Sequence, residues 1–243
     1  MIQAQPTRPA VVNPFLSNVI DAAIADTAMP GDAMSVIAKS LRLLASNGLK
    51  ESLLALMDCP DCLDNIAARS YRHGNGFWKL VLSQSSTHKL RLHIWFPGTD
   101  AEENAHDHRW HFASTIVDGT LTSEIWQEAA SPDAVAFDEL LYFAKDGDLA
   151  PVIVPNGKTK LICTKTVVRS AGEAYTMAPG TIHRIVRCGQ KLTATLMCQA
   201  APARRWNRLI PKLGQAPDVE QRYLTRPELT AAIVRYLALT RAQ

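Results

Sequence analysis

Apolar residues change their spacing along this chain, and the change divides it. Over residues 15–70 they recur at helical intervals. Phe15, Leu16, Val19, Ile20, Ala23 and Ile24 form one stripe, and Val36, Ile37, Leu41, Leu44 and Ala45 form a second. Asn47-Gly48 supplies a helix stop, and Leu53, Leu54, Leu56 and Met57 predict a third short helix. At Gly74-Asn75-Gly76 the texture switches. Residues 77–82 and 89–96 alternate and carry aromatic and branched side chains, the signature of a strand pair. Pro97-Gly98-Thr99-Asp100 turns the chain, and Asp118-Gly119 between two alternating runs is a hairpin signal. Residues 128–150 are less regular and read as a loop at a barrel mouth. Strands resume at 152–154, 161–168, 174–177, 182–186 and 192–199. From Arg204 onward the chain reads as helical again, with Leu224, Leu229, Ile233 and Leu237 facing inward.

Many short strands separated by glycine and proline turns specify a sandwich or a small barrel, so the fold class is mainly β. The expected organisation is a flexible arm over 1–14 and a helical segment over 15–73 packed on a β-barrel over 74–203. A helical extension over 204–243 follows. No internal repeat or low-complexity tract is present, which makes this a single domain with appendages.

Composition removes several function classes. A net charge of +3 is too mild to imply nucleic acid, and Arg204, Arg205 and Arg208 read as a solvated helix face. No run approaches transmembrane length and no signal core follows the N-terminus, so no membrane partner is expected. Five cysteines, an odd number, argue against a disulfide framework and fit a cytoplasmic location. Cys59-Pro60-Asp61-Cys62 lacks a second ligand pair for zinc and the βαβ setting of a redox site. It reads as a Cys-Pro turn with half-buried thiols.

The chemistry lies in His106-Asp107-His108 and in Pro179-Gly180-Thr181-Ile182-His183. Histidines one residue apart on a strand point to the same face. The Pro-Gly turn would return His183 from a second strand to the same point. Three neutral imidazoles suit Zn, Cu, Fe or Ni and leave positions open on the ion. His111, three residues past His108, would need a bulge to turn inward, where it could serve as a fourth ligand or proton shuttle. Trp110 shares parity with the histidines and should line the pocket. Arg109 and Arg184 follow ligands and should point away, and Asp107 should orient a neighbouring strand. His93 shares a face with Arg91 and Trp95. If the aliphatic face of that strand fills the core, His93 lies outside.

These motifs resemble the two of the cupin superfamily, the first being His106-x-His108 with Gly119, the second Gly172 with Pro179-Gly180 and His183. The resemblance implies a jelly-roll barrel. Many cupins add a glutamate four or five residues after the second histidine, where this chain has Phe112 and Ala113. The remaining three-histidine set is similar to that of the thiol dioxygenases, above all cysteine dioxygenase, over residues 71–199. That implies ferrous iron, with Zn, Ni, Mn or Cu as other occupants, and O2 with a small thiol or amino-acid-like metabolite as substrates. It also implies an arginine gripping a substrate carboxylate, for which Arg91, Arg72 and Lys79 are the candidates. The cysteine–tyrosine crosslink of mammalian-type members cannot form, because Ala113 and Ala200 occupy those places. Two other readings stay open: a cupin lyase, isomerase or decarboxylase using its ion as a Lewis acid, and a non-enzymatic small-molecule-binding cupin.

Overall fold

The structure, a computed structural model, describes residues 30–98, 103–144, 151–186, 191–216 and 221–241. The arm over 1–14 and the stripe over 15–24 lie outside the described residues. The elements begin with α1 (Pro30–Asn47), α2 (Leu49–Met57) and α3 (Pro60–Ala67). Strands β1 (Tyr71–His73), β2 (Trp78–Gln84), β3 (His88–Trp95), β4 (Ala105–His106), β5 (Phe112–Asp118) and β6 (Thr120–Glu128) follow. Then come β7 (Val135–Phe143), β8 (Val152–Ser170), β9 (Ala174–Met177), β10 (Ile182–Val186) and β11 (Thr193–Ala200). The chain closes with β12 (Trp206–Ile210), β13 (Gln221–Tyr223) and α4 (Arg226–Arg241).

One sheet orders its strands β13-β1-β2-β3-β11-β5-β9, and the other closes on itself as β10-β4-β12-β7-β8-β6. Within them β3-β11-β5-β9 lie opposite β4-β10-β6-β8. Successive members of these eight alternate between sheets except at the step from β6 to β8, which is the double Greek key of a jelly roll. Side chains from both sheets meet inside: Phe77, Trp95 and Ile116 of the first sheet cluster with Leu121 and Ile185 of the second. Gly119 makes the tight turn from β5 to β6 at φ +72, where a Cβ would stand 2.2 Å from the Leu192 carbonyl oxygen.

The main apolar core is outside this barrel. Leu80, Leu90, Leu92, Ile94 and Leu196 point away from the interior and pack under Ile37, Leu41, Leu53, Ile66, Leu229 and Ile233 of the helices. Strand alternation then sends Lys79, Arg91 and His93 to the inner face. The C-terminal helix starts in a capping box between Thr225 and Glu228 and is tied to the sheet by the Tyr236 hydroxyl, which donates to Asp118 at 2.5 Å. Leu224, Leu229, Ile233 and Leu237 are buried against it.

Several expectations are corrected. Residues 128–150 hold β7 rather than only a loop. Its buried Glu139, held by Arg208 and Asn156 at 2.5 Å each, interrupts the apolar alternation that marks a strand. Among the described residues after Arg204, the first elements are β12 and β13, and the helix begins at Arg226. Arg208 accordingly lies on a strand between Glu128 and Glu139, not on a helix face. Cys59 and Cys62 are joined in a disulfide across the first turn of α3 rather than remaining thiols. Val36 and Leu54 face solvent at 45% and 44% exposure, whereas Met34 and Ala38 complete the buried stripe of α1. No described helix is long and apolar enough to cross a membrane.

Candidate metal centre

The short strand β4 brings the histidines together because it is paired on both sides. His106 stands opposite His183 of β10 on one side and Leu209 of β12 on the other. Asp107, 1% exposed, fixes the next residue. Its carboxylate meets Arg204 at 2.5 Å and accepts from the Arg208 amide at 2.8 Å, while its own amide donates to the Arg208 carbonyl at 3.2 Å. With the aspartate turned toward β12, its two neighbours turn the other way. The His108 carbonyl then accepts from the Gly180 amide and from Arg204, each at 3.1 Å. The Pro179-Gly180 turn is thus bonded directly to the His-Asp-His segment.

His106, His108 and His183 each offer a ligand nitrogen, and these lie within 4.8 Å of one another. The His108 and His183 Nε2 atoms are 3.0 Å apart. Two nitrogens about 2.1 Å from one ion and at right angles would stand about 3.0 Å apart, so the spacing fits adjacent positions on a metal. His106 Nδ1 donates to the Asn104 carbonyl at 2.9 Å, which leaves Nε2 with its lone pair for the ion. Burial holds the His108 and His183 imidazoles well below their ordinary range, and His106 beside them adds to this. Neutral imidazole is the form that ligates. The donor set therefore fits a divalent ion of the imidazole-binding class.

Phe112 turns its ring edge-on to His108, centroids 5.1 Å apart, and clusters with Met177 and Met197. These three residues form an apolar wall beside the histidines, all on the first sheet. The same sheet also presents cations. Trp110 stacks on His108 at 5.4 Å, and the Arg91 guanidinium lies 5.5 Å above the Trp110 ring. Burial lowers the Arg91 and Lys79 pKa values below their usual ranges, and both side chains perturb His108. Arg91 Nε and Trp110 Nε1 are buried N–H groups without an acceptor among the described residues.

Of the residues singled out in the sequence, the structure brings His106, His108, His183, Arg91, Lys79 and Trp110 together. Arg72 is not among them: it is exposed and lies over Trp78, on the helix-covered side of the sheet. His111 also stays apart; its neighbour Phe112 is the one that turns to the histidines. Its carbonyl accepts from the Ala200 amide instead. His93 proves to be inside the barrel, tilted against Phe77 at 5.1 Å, because the aliphatic face of β3 serves the helices. Arg184 points away and pairs with Glu124 at 2.5 Å, whereas Arg109 lies over the Trp110 ring at 5.1 Å. Residues that sequence reasoning missed include Tyr71, His73 and Glu103. Glu103 is buried beside His106; burial raises its pKa, and its carboxylate accepts from the Ile185 amide at 2.9 Å. Parity of β1 and β2 relative to β3 is the signal that could have found Tyr71.

No protein-family model matches this sequence, and no curated protein matches it. Among solved structures the chain is similar to an uncharacterized conserved protein with a double-stranded beta-helix domain from Klebsiella pneumoniae. That likeness has 14% identity and a TM-score of 0.33, over 56% of this chain and 80% of that one. An RmlC-like cupin protein from Ralstonia eutropha is similar at 14% identity and a TM-score of 0.32, over 70% of this chain and 77% of that one. A structure of DMSP lyases is similar at 14% identity and a TM-score of 0.32, covering 88% of this chain and 82% of that one. The assignment as a jelly roll stands on this chain's own strand order.

Proposed function

We propose that the protein is a metal-dependent enzyme, a three-histidine Fe(II) dioxygenase acting on a small thiol or amino-acid-like metabolite. The observation that carries this reading is the convergence of three imidazoles into a group that, among the described residues, includes no carboxylate ligand, with Phe112 against His108. A ligand set without negative charge favours an anionic substrate donor, and the ion when bound supplies both the docking point for that donor and the activation of oxygen. Arg91 would pair with a substrate carboxylate, a role supported by its buried Nε, which has no acceptor among the described residues. Trp110, stacked on His108, lies under the guanidinium, and Phe112, Met177 and Met197 pack with it as an apolar wall that would limit water. Glu103, a buried acid beside His106, favours a second reading as a Lewis-acid lyase, isomerase or decarboxylase.

The separating experiment is oxygen-electrode measurement on protein purified and loaded with ferrous iron under nitrogen, screened over thiols and amino acids. Oxygen uptake that requires both iron and an added substrate is the expected result. Equal turnover of a metabolite under nitrogen would replace this reading with the Lewis-acid one.

A further inference from the structure

Lys79 is the group the proposed chemistry leaves without a task. The antiparallel register sets it directly between Tyr71 of β1 and His93 of β3, on the inner face of the first sheet. Its Nζ donates to the Tyr71 hydroxyl at 3.0 Å and lies over the Tyr71 and Phe77 rings at 5.0 and 5.4 Å. Among the described residues no carboxylate stands within ion-pair reach of it. Lys79 is half-buried by exposure but deep in the barrel, and an amine there without a counter-ion is costly to keep charged.

We propose that Lys79 is the proton acceptor of this chamber, taking the proton that a substrate thiol or hydroxyl loses when its donor atom turns to the histidine centre. The bond broken is S–H or O–H, the bond formed is N–H on Nζ, and the electron pair left on sulfur or oxygen is the one offered to the ion. The inference rests on reading His106, His108 and His183 as a metal centre. The groups facing Lys79 are Tyr71 and His73 of β1, Arg91 and His93 of β3, and Glu103 before β4, with His108 beyond them. Burial, with Arg91 beside it and Glu103 opposing, holds the Lys79 amine well below its ordinary range. The amine is therefore available uncharged. The alternatives are weaker. His73 and His93 start from a lower basicity and are depressed as well, Tyr71 keeps its proton, and the Glu103 carboxyl is engaged with the Ile185 amide.

The test counts protons on full-length protein loaded with cobalt(II), using mercaptoacetate as the probe. Calorimetric titration at neutral pH, in two buffers of different ionisation enthalpy, gives the protons released per thiol bound. Wild-type protein should release almost none, because Lys79 keeps the proton. Lys79→Met and Lys79→Arg should each release about one more per site. Lys79→Arg carries the test should Lys79→Met fail to fold, since it retains a cation that cannot accept. An unchanged proton count in the variants, with or without weaker binding, overturns the proposal and makes Lys79 a substrate contact or a structural residue. Cobalt-loaded wild-type protein that takes up no mercaptoacetate overturns it too. Failure of the wild-type protein to bind cobalt is a distinct result, which removes the metal-centre reading beneath the proposal.

Discussion

Asp107 illustrates how one residue sets the geometry of its neighbours. It is buried with its carboxylate shared between Arg204 and the Arg208 amide, and that attachment to β12 aims the flanking histidines into the barrel. Removing it leaves Arg204 without its carboxylate and frees the turn, so Asp107→Ala should cost about 3 kcal/mol. Urea denaturation would measure this, and metal content per chain should fall with it. Lys79 makes the opposite prediction. Its folded pKa lies below the unfolded value of 10.5, so below that pH the unfolded chain binds a proton that the folded chain does not. Lys79 therefore subtracts stability at neutral pH and subtracts less as pH rises toward 10.5. Lys79→Met should raise the denaturation midpoint at neutral pH and flatten the rise of stability on the alkaline side. A lower midpoint would mean that the amine is held in its charged form by contacts worth more than its burial. The three histidines were legible from the sequence because each sits in a short motif, His106-x-His108 and Pro179-Gly180-Thr181-Ile182-His183. Tyr71, His73 and Glu103 were not, since they reach the site only through strand register and a turn.

At the scale of elements, the same glycine pattern hides different demands. Gly119 and Gly172 both adopt positive φ, +72 and +87, but only Gly119 has backbone against its missing Cβ. Gly172→Ala should cost about 1 kcal/mol from conformation alone, and Gly119→Ala several times that, because the β5–β6 turn must move off Leu192. Comparing the two denaturation midpoints checks the ordering. The sequence showed the Asp118-Gly119 hairpin because turn chemistry is local. It did not show β12, whose five residues carry two basic or amide side chains, Asn207 and Arg208, in positions that only make sense once Glu128, Glu139 and Asp107 surround them. It also misread the face of β3. Leu90, Leu92 and Ile94 do fill a core, but that core lies between sheet and helices, so the polar face carrying Arg91 and His93 became the interior.

The whole molecule consequently has its largest apolar core between sheet and helices and its imidazole and cationic groups inside the barrel, an arrangement that ties its stability to protons and to ligands. Burial holds His73 down at about 2, with Lys79, His106 and Arg91 contributing, and holds His93 low as well. From the unfolded value of 6.5 down to about 2 the unfolded chain binds the His73 proton and the folded chain does not. Stability of the metal-free protein should therefore fall as the pH drops below 6.5, by about 1.4 kcal/mol per pH unit for each histidine kept neutral. A divalent ion acts in the other direction. It binds the folded arrangement of His106, His108 and His183 and has no such arrangement in the unfolded chain, so free metal at about a hundred times its dissociation constant should add about 2.7 kcal/mol. A thermal melt with and without ferrous or cobaltous ion reads this as a rise in midpoint that a chelator reverses. Because the ion needs all three imidazoles, His106→Ala, His108→Ala and His183→Ala should each remove most of the shift. A variant lacking any one of them that keeps the full metal-dependent rise would show that the ion stabilises this protein from somewhere else.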